Sequence, residues 1–550
     1  SKSASKGKPA VKPVKIDFTG LIERAVQVPV PAANITQVAE FKGVVFYSTA
    51  PVPVLGGAIP GEVAELRAYN MKKRKGMTLA QGGGIDNGFA LSADGSTLLY
   101  EDKGKWTLRP AVFNKEAKTK TLNTAHMQMR VDPRAEWQEI FNEAYRNVRD
   151  YFVDPALIKA RWAAVGEHYR ALLPLVQDRE DLNYVMANMI GSLSESHMYI
   201  FDGDMGWKTP PQPTAGLGVE FALNAKAGRY YLKRIFHGDN TVPGYYAPLA
   251  QPGLKVKEGD YVLAINGQKL TAPTNPYELL QGTLGQSVTL SVASTPTGKP
   301  WTILVKPIVN SGKLHLLHWI KNNRREVAKL SGGKIGYVYL NDMEATGLHE
   351  FVRQFYSQIN KPGLILDDRW NLGGFIDTIL FNQLTQEMAA AWTNRHGAHF
   401  QSPQDAYIGH MAALINHGSA SDGDIFAYRF QQYHLGPTIG SRTWAGVRGY
   451  DNQFTLLDGG SQVVSEIAMY GTNSKWAVEN IGVVPSIPVH VDPGLLAQHN
   501  RDTQIETAVK VLLKEIAQKP VKVPPAPPWM PAFPKQPAYP ACPVSAGTCQ

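Results

Sequence analysis

"LINHGSASDGDIF", Leu414 to Phe426, reads as a buried strand that breaks through Gly418 into a helix, with Ser421 at the break. A helix beginning at Asp422 aims its unpaired amides and the positive end of its dipole at the Ser421 hydroxyl, with Asp422 and Asp424 in its first turn. A nucleophile and an oxyanion hole are built together in this way. The same letters also suit a Ser/Asp helix cap on a surface loop, so the surrounding chain has to decide.

Working outward, strand and helix patterns alternate. A basic amphipathic helix from His315 to Lys329 precedes the buried strand "KIGYVYL" (334–340), the helix "GLHEFVRQFYSQI", the strand "GLILD" and the turn "DRWNLGGFID". Gly373 and Gly374 in that turn let backbone approach a ligand. The order predicts a mostly parallel α/β layer, with Gly373-Gly374 and Ser421 at the carboxyl ends of strands, where such layers bind ligands. Neither turn is followed by the Gly-Lys-Ser/Thr of a phosphate loop. Downstream, "GPTIGSRTWAGVRGY" and "KWAVENIGVVPSIPV" read as Gly-punctuated strands, the second carrying Glu479 in an apolar setting. Asp502 caps a last amphipathic helix with Ile505, Val509, Leu512 and Ile516 in register, and a proline-dense extended tail follows Lys519.

Toward the start, β-rich runs between Phe41 and Leu108 alternate with turn signals, and Asp94-Gly95 marks a hairpin. The spacing suits one or two blades of a β-propeller, which closes only with about four to eight. The expectation is an incomplete ring completed by an upstream part, or else a small independent β-domain. After a linker near Lys115 to Thr124, Asp132-Pro133 starts a helix with Trp137, Ile140, Phe141, Ala144, Val148 and Phe152 on one face. Further helices begin at Ala156 and Asp181, and the last runs into "GSLSESHMYIFDGD", where the Ser196-His197 pair, taken alone, reads by default as a structural or surface histidine. Past a Pro210 to Pro213 linker, "GLGVEFAL" opens a strand-rich segment with Glu258-Gly259-Asp260 and Asn266-Gly267 turns and a short helix at Tyr277 to Gln281. This segment resembles a PDZ domain, which implies a carboxylate-binding loop at Gly216, Leu217 and Gly218.

The 550 residues exceed one core. The expected organisation is a basic flexible start (1–35), C-terminal propeller blades (36–124), a helical subdomain (125–208), a PDZ-like domain (214–308), an α/β catalytic core (312–517) and a Pro-rich tail (518–550). The +9 charge is partly the lysine-rich start and is not gathered into an aromatic-studded face, which argues against nucleic acid. No apolar run spans a membrane. Cys542 and Cys549 exclude a cysteine metal site and suit a small terminal disulfide, which favours a periplasmic or secreted location over the cytoplasm. No metal or cofactor is expected.

"SESHMY", the PDZ-like segment, "DDRWNLGGF", "SASDGDIF", "GSRTWAGV" and "WAVENIGVVPSI", in that order, resemble the tricorn branch of the C-terminal-processing serine proteases from about Glu136 to Lys514. The resemblance implies a multidomain α/β and β fold with a crotonase-like protease core, Ser421 as nucleophile and His197 as general base. It further implies that Ser196 hydrogen-bonds the imidazole, that Glu479 anchors Ser196, and that the amides of Asp422 and of Gly373 or Gly374 form the oxyanion hole. Peptides or unfolded polypeptides are the implied substrates of a homo-oligomer, with an upstream propeller fragment as a further partner. The rival readings are a non-catalytic peptide-binding scaffold, which a missing member of the Ser-His-Ser-Glu set would favour, and an acyl-CoA enzyme, for which no coenzyme site is legible.

Overall fold

The computed structural model describes residues 16–52, 61–206, 214–239, 241–242, 244–499 and 501–529. The lysine-rich residues 1–15, the Pro210 to Pro213 linker, Cys542 and Cys549 lie outside the described residues. The chain divides into two compact units between Val131 and Asp132.

The first unit holds two four-stranded antiparallel sheets, β1 (Asn34–Phe41), β2 (Val44–Ala50), β3 (Glu65–Asn70) and β4 (Lys75–Gln81), then β5 (Phe89–Leu91), β6 (Thr97–Asp102), β7 (Lys105–Pro110) and β8 (Lys120–Thr121). Each runs in chain order, and Phe46, Leu66, Leu98 and Tyr100 from both sheets share one core. The Asp94-Gly95 turn joins β5 to β6, with Asp94 Oδ1 accepting from Ser96 N at 3.0 Å. Strand β1 starts ahead of the expected Phe41 because an edge strand, mostly exposed, carries little hydrophobic alternation to read.

The second unit begins with α1 (Pro133–Tyr151), whose Asp132 cap accepts from Arg134 N and Ala135 N. Ile140, Phe141, Ala144 and Val148 are fully buried, as the spacing predicts. After α2 (Pro155–Leu157) and α3 (Ala163–Arg170), α4 (Arg179–Gly191) starts two residues before Asp181, because Asp178 is the cap and accepts from Asp181 N at 2.8 Å. Strand β9 (Tyr199–Phe201) follows. Next comes an antiparallel sheet of β10 (Val219–Asn224), β11 (Arg229–Ile235), β12 (Tyr261–Ile265), β13 (Gln268–Lys269), β14 (Val288–Ala293) and β15 (Trp301–Val305), around a core of Leu232, Val262, Leu290 and Val292.

The remaining chain builds a parallel sheet in the order β16 (Ile335–Tyr339), β17 (Gly363–Asp367), β20 (His410–Ile415), β21 (Thr438–Gly440) and β24 (Ile487–Pro488). Helices α5 (Gly312–Ser331) and α10 (Thr503–Gln518) cover one face through Ile320, Val327, Ile505, Val509 and Leu512. On the other, α6 (Ala345–Tyr356), α7 (Asp377–Leu384) and α8 (Asp422–Gln432) pack Phe351, Phe355, Phe381, Phe426 and Phe430. Covered on both faces, β17 reads as a continuous apolar run. A hairpin, β18 (Ala390–Thr393) with β19 (His399–Ser402), and a short helix, α9 (Pro493–His499), complete these elements.

The expectation of strands through 441–448 and around Glu479 needs correction. Residues 441–448 form no strand, and the region around Glu479 is a turn with Val478 and Asn480 at positive φ. The amides of 445–448 bind buried carboxylates instead of a neighbouring strand. The helical segment and the α/β part share a small sheet: β9 pairs with β23 (Ser461–Val463), itself paired with β22 (Gln453–Thr455), and Leu456 and Val464 sit in the helical core. Among the described residues no helix is long and apolar enough to cross a membrane.

Candidate active site

Two loops at the carboxyl ends of β17 and β20 are laced together. Ser419 Oγ donates to Asp368 O at 2.8 Å, Asn416 Oδ1 accepts from Trp370 N at 3.2 Å, and Ala420 N donates to Asn371 O at 2.8 Å. The lacing holds Ser421 at φ 54 and ψ −118, directly before α8. A side chain in so sparsely populated a conformation costs about 1–3 kcal/mol and persists only where its surroundings over-determine it. The hydroxyl makes no capping bond; it lies 3.0 Å from His197 Nε2.

His197 arrives from the helical segment, more than 200 residues away in the chain, carried by the β9–β23 pairing. Its Nδ1 is 3.0 Å from Ser196 Oγ, which donates to Glu479 Oε2 at 3.0 Å. Since the one Ser196 hydroxyl proton goes to Glu479, Ser196 Oγ accepts the His197 Nδ1–H, and Arg448 N fills its remaining lone pair at 3.2 Å. That tautomer leaves Nε2 free to accept from Ser421. Glu479 also accepts from Ser196 N at 2.8 Å, Val447 N at 2.6 Å and Arg448 N at 3.0 Å. Four donors hold this carboxylate in place although it is only 9% exposed.

Burial holds the His197 imidazole below its ordinary pKa, against the opposing pull of Glu479. Its walls include Tyr199, Trp444 and Tyr450, each with ring centroid 6.0 Å away. The two loops and the start of α8 carry three buried acids. Burial, then the neighbouring Asp377, pushes Asp422 up to about 8. Asp424 rises to about 6 through burial, opposed by hydrogen bonds that include those from Ala445 N and Gly446 N. Asp368 is driven well above the carboxylate range by burial and keeps one oxygen, Oδ2, without a hydrogen bond.

The glycine turn lies against the serine. Gly373 has φ 96, and a β-carbon there would sit 2.8 Å from Asp422 N. Gly373 N is already taken by Asn371 Oδ1 at 3.0 Å, whereas among the described residues neither Asp422 N nor Gly374 N donates a hydrogen bond. Leu372 points outward, 77% exposed, so its bulk does not disturb the turn.

At the carboxylate loop expected at Gly216, Leu217 and Gly218, two of the three amides are already engaged. Gly216 N donates to Ile308 O at 2.7 Å, Gly218 N to Ser311 Oγ at 3.2 Å, and the Leu217 side chain is buried in the β-domain core. The segment leading into α5 occupies two of the three amides that a peptide carboxylate would use. Sequence reading also passed over Asn371, Val447 and Arg448. Two of these act through backbone amides, which leave no signature in residue type.

Three family models match: Peptidase family S41 over residues 334–489, the Tricorn protease PDZ domain over 215–310 and the Tricorn protease C1 domain over 133–191. Tricorn protease homolog 1 of Streptomyces coelicolor is 30% identical over 526 residues, covering 94% of this chain and 48% of the relative. The Tricorn protease homolog of Saccharolobus solfataricus is 29% identical over 506 residues, 90% of this chain and 46% of its own length. A crystal structure of the tricorn protease superimposes with a TM-score of 0.79 at 27% identity, over 89% of this chain and 47% of that one. The chain thus spans about half the length of the curated relatives it matches. It has a multidomain α/β and β architecture, and it belongs to the tricorn-type serine proteases of peptidase family S41.

Proposed function

We propose that this chain is a serine endopeptidase that hydrolyses peptides or unfolded polypeptides through Ser421, His197, Ser196 and Glu479. The carrying observation is the unbroken relay Ser421 Oγ, His197 Nε2, His197 Nδ1, Ser196 Oγ, Glu479 Oε2, with each hydrogen bond 3.0 Å long. His197 Nε2 takes the Ser421 proton as Oγ attacks the scissile carbonyl carbon. The resulting oxyanion is placed for Asp422 N and for Gly374 N, or for Gly373 N if Asn371 releases it, each donor worth roughly 10²- to 10³-fold in rate. The imidazolium, steadied by Ser196 and the Glu479 charge, returns its proton to the leaving amine, and the C–N bond breaks to leave an acyl-Ser421. Water, deprotonated by the same nitrogen, attacks the ester and regenerates the serine.

In this reading the parallel layer is a crotonase-like core, the particle is a homo-oligomer, and the first unit's sheets belong to a β-propeller shared with an upstream fragment. The non-catalytic scaffold finds no support, since all four relay members are present and in contact and two of the loop amides it would use are occupied. The test is labelling with a fluorophosphonate. The modified residue is expected at Ser421, with labelling lost in Ser421→Ala and slowed in His197→Ala; modification elsewhere overturns the assignment.

A further inference from the structure

The basic face of α5 is the part of the molecule that the relay does not use. Between this helix and the end of β11 lies a cavity of about 1190 Å³, lined by Arg234, Lys321, Arg324, Arg325 and Lys329 together with His318. Only Glu258 and Glu326 line it with the opposite sign. Glu258 accepts from Ile235 N at 3.0 Å, and Glu326 meets Lys329 at 3.6 Å. Lys321, Arg324 and Arg325 have no carboxylate within 4.0 Å among the described residues, and the residues outside that set include no Asp or Glu.

Arg234 Nη1 lies 4.0 Å from Glu220 Oε1, but three features show that much of the remaining charge is uncompensated. Lys321, Arg325 and Lys329 follow one another at spacings of four on a helix, an arrangement of like charges that weakens the helix itself. Arg324 is largely buried against Gln354, to which Nη2 donates at 2.9 Å, and its Nε has no acceptor. Burial and then the charge of Arg353 pull its pKa down, and His318 is lowered by burial and then by Arg234 and Arg325. Arg234 Nη1 and Asn322 Nδ2 both donate to His318 Nε2, at 3.2 and 2.9 Å, which keeps that imidazole neutral. Local choices that oppose stability without a compensating contact mark functional surfaces.

We propose that this cavity is an exosite for a carboxylate-rich polypeptide segment, held by the guanidinium and ammonium groups of β11 and α5. Its volume exceeds the roughly 300–1,000 Å³ of small-ligand pockets, and its cationic groups are spread along two turns of helix, which suits several carboxylates in series. The choice of a polypeptide over a phosphorylated ligand rests on the proteolytic reading. The site would recruit chains with acidic stretches to the protease, and steering of this kind raises association rates in a salt-dependent way.

The test is fluorescence anisotropy of fluorescein-labelled hexaglutamate with full-chain Ser421→Ala, a readout that needs no hydrolysis and so fails independently of the catalytic assignment. Saturable binding that weakens with salt is expected, and Arg325→Glu/Lys329→Glu should weaken it by roughly tenfold or more. Both side chains are exposed, so the variant's circular dichroism and melting should match the parent. The control Lys72→Glu/Lys75→Glu, with the same change in net charge, should change affinity by less than about twofold. Equal loss in both variants, absence of saturable binding, or binding of inorganic tripolyphosphate without binding of hexaglutamate would each overturn the proposal.

Discussion

Gly373 and Ser421 touch so closely that a β-carbon on Gly373 would lie 2.5 Å from Ser421 Cβ. Gly373 also has φ 96, where an L side chain is strained whatever the space. Gly373→Ala therefore has to push Ser421 off His197 or open the turn. The expected outcome is a loss in kcat of at least ~10²-fold with KM little changed, since a displacement of about 1 Å at the reacting atoms costs that much. Steady-state kinetics on a fluorogenic peptide checks it, with circular dichroism to show that the sheet is intact. Activity within about fivefold of the parent would mean that Gly373 is only a bend.

The relay makes a graded prediction. Glu479 reaches the imidazole only through Ser196, so it is a positioning residue, and Glu479→Gln should depress kcat less than His197→Ala. Because the Glu479 charge raises the His197 pKa against burial, removing it should also move the acid limb of the kcat/KM profile to lower pH. The parent limb itself should lie below the ordinary histidine value of about 6.5. Rate must rise with pH there, since only the neutral imidazole accepts the serine proton. Equal losses in the two variants with superimposable profiles would refute the relay.

Much of this site could be read from one-dimensional pattern. Asp132, Asp502 and the break at Ser421 are local signals, fixed by capping chemistry within three or four residues, and each falls where the helix begins. What escaped reading was long-range or carried by backbone. The β9–β23 pairing joins Tyr199 to Val463 through short strands with little alternation of their own. The amides of Ala445, Gly446, Val447 and Arg448 serve Asp424 and Glu479, so a Gly-punctuated apolar run that resembles a strand becomes an irregular cradle. The PDZ-like glycines kept their motif while Ile308 and Ser311 took their donors.

Asp424 links this cradle to pH. Its pKa is about 6 in the folded chain against roughly 3.9 when solvated. A raised carboxyl contributes stability that is fully present below the unfolded pKa and is lost as pH rises through the folded one. Folding free energy should therefore fall between about pH 4 and 7, by an amount on the order of 3 kcal/mol from this group. Asp424→Asn cannot titrate, so denaturant unfolding of parent and variant at pH 4.5 and 7.5 should differ in slope in that sense. A pH-independent difference between the two would show that the carboxyl is ionised throughout.

The last prediction concerns how His197 is kept in reach of Ser421. Arg179 opens α4 and forms a two-point pair with Asp458, Nε to Oδ2 at 2.6 Å and Nη2 to Oδ1 at 3.2 Å, with both side chains almost fully buried. Asp458 also accepts from Asp204 N at 2.8 Å, and Asn183 donates to Asp202 O at 3.0 Å, so the pair clasps the chain just after β9 to the turn between β22 and β23. Removing one partner leaves a buried uncompensated charge, a loss of about 3–5 kcal/mol. Arg179→Met should cost that much in denaturant unfolding, and in surviving folded protein it should slow fluorophosphonate labelling of Ser421, because β9 no longer fixes His197. Replacing both partners, Arg179→Met with Asp458→Leu, removes the stranded charge and should recover most of the stability while leaving labelling slow, since Asp458→Leu also removes the acceptor of the Asp204 amide. If the double variant regains neither stability nor labelling, the pair acts through packing alone; if Arg179→Met labels at the parent rate, the clasp does not position the histidine.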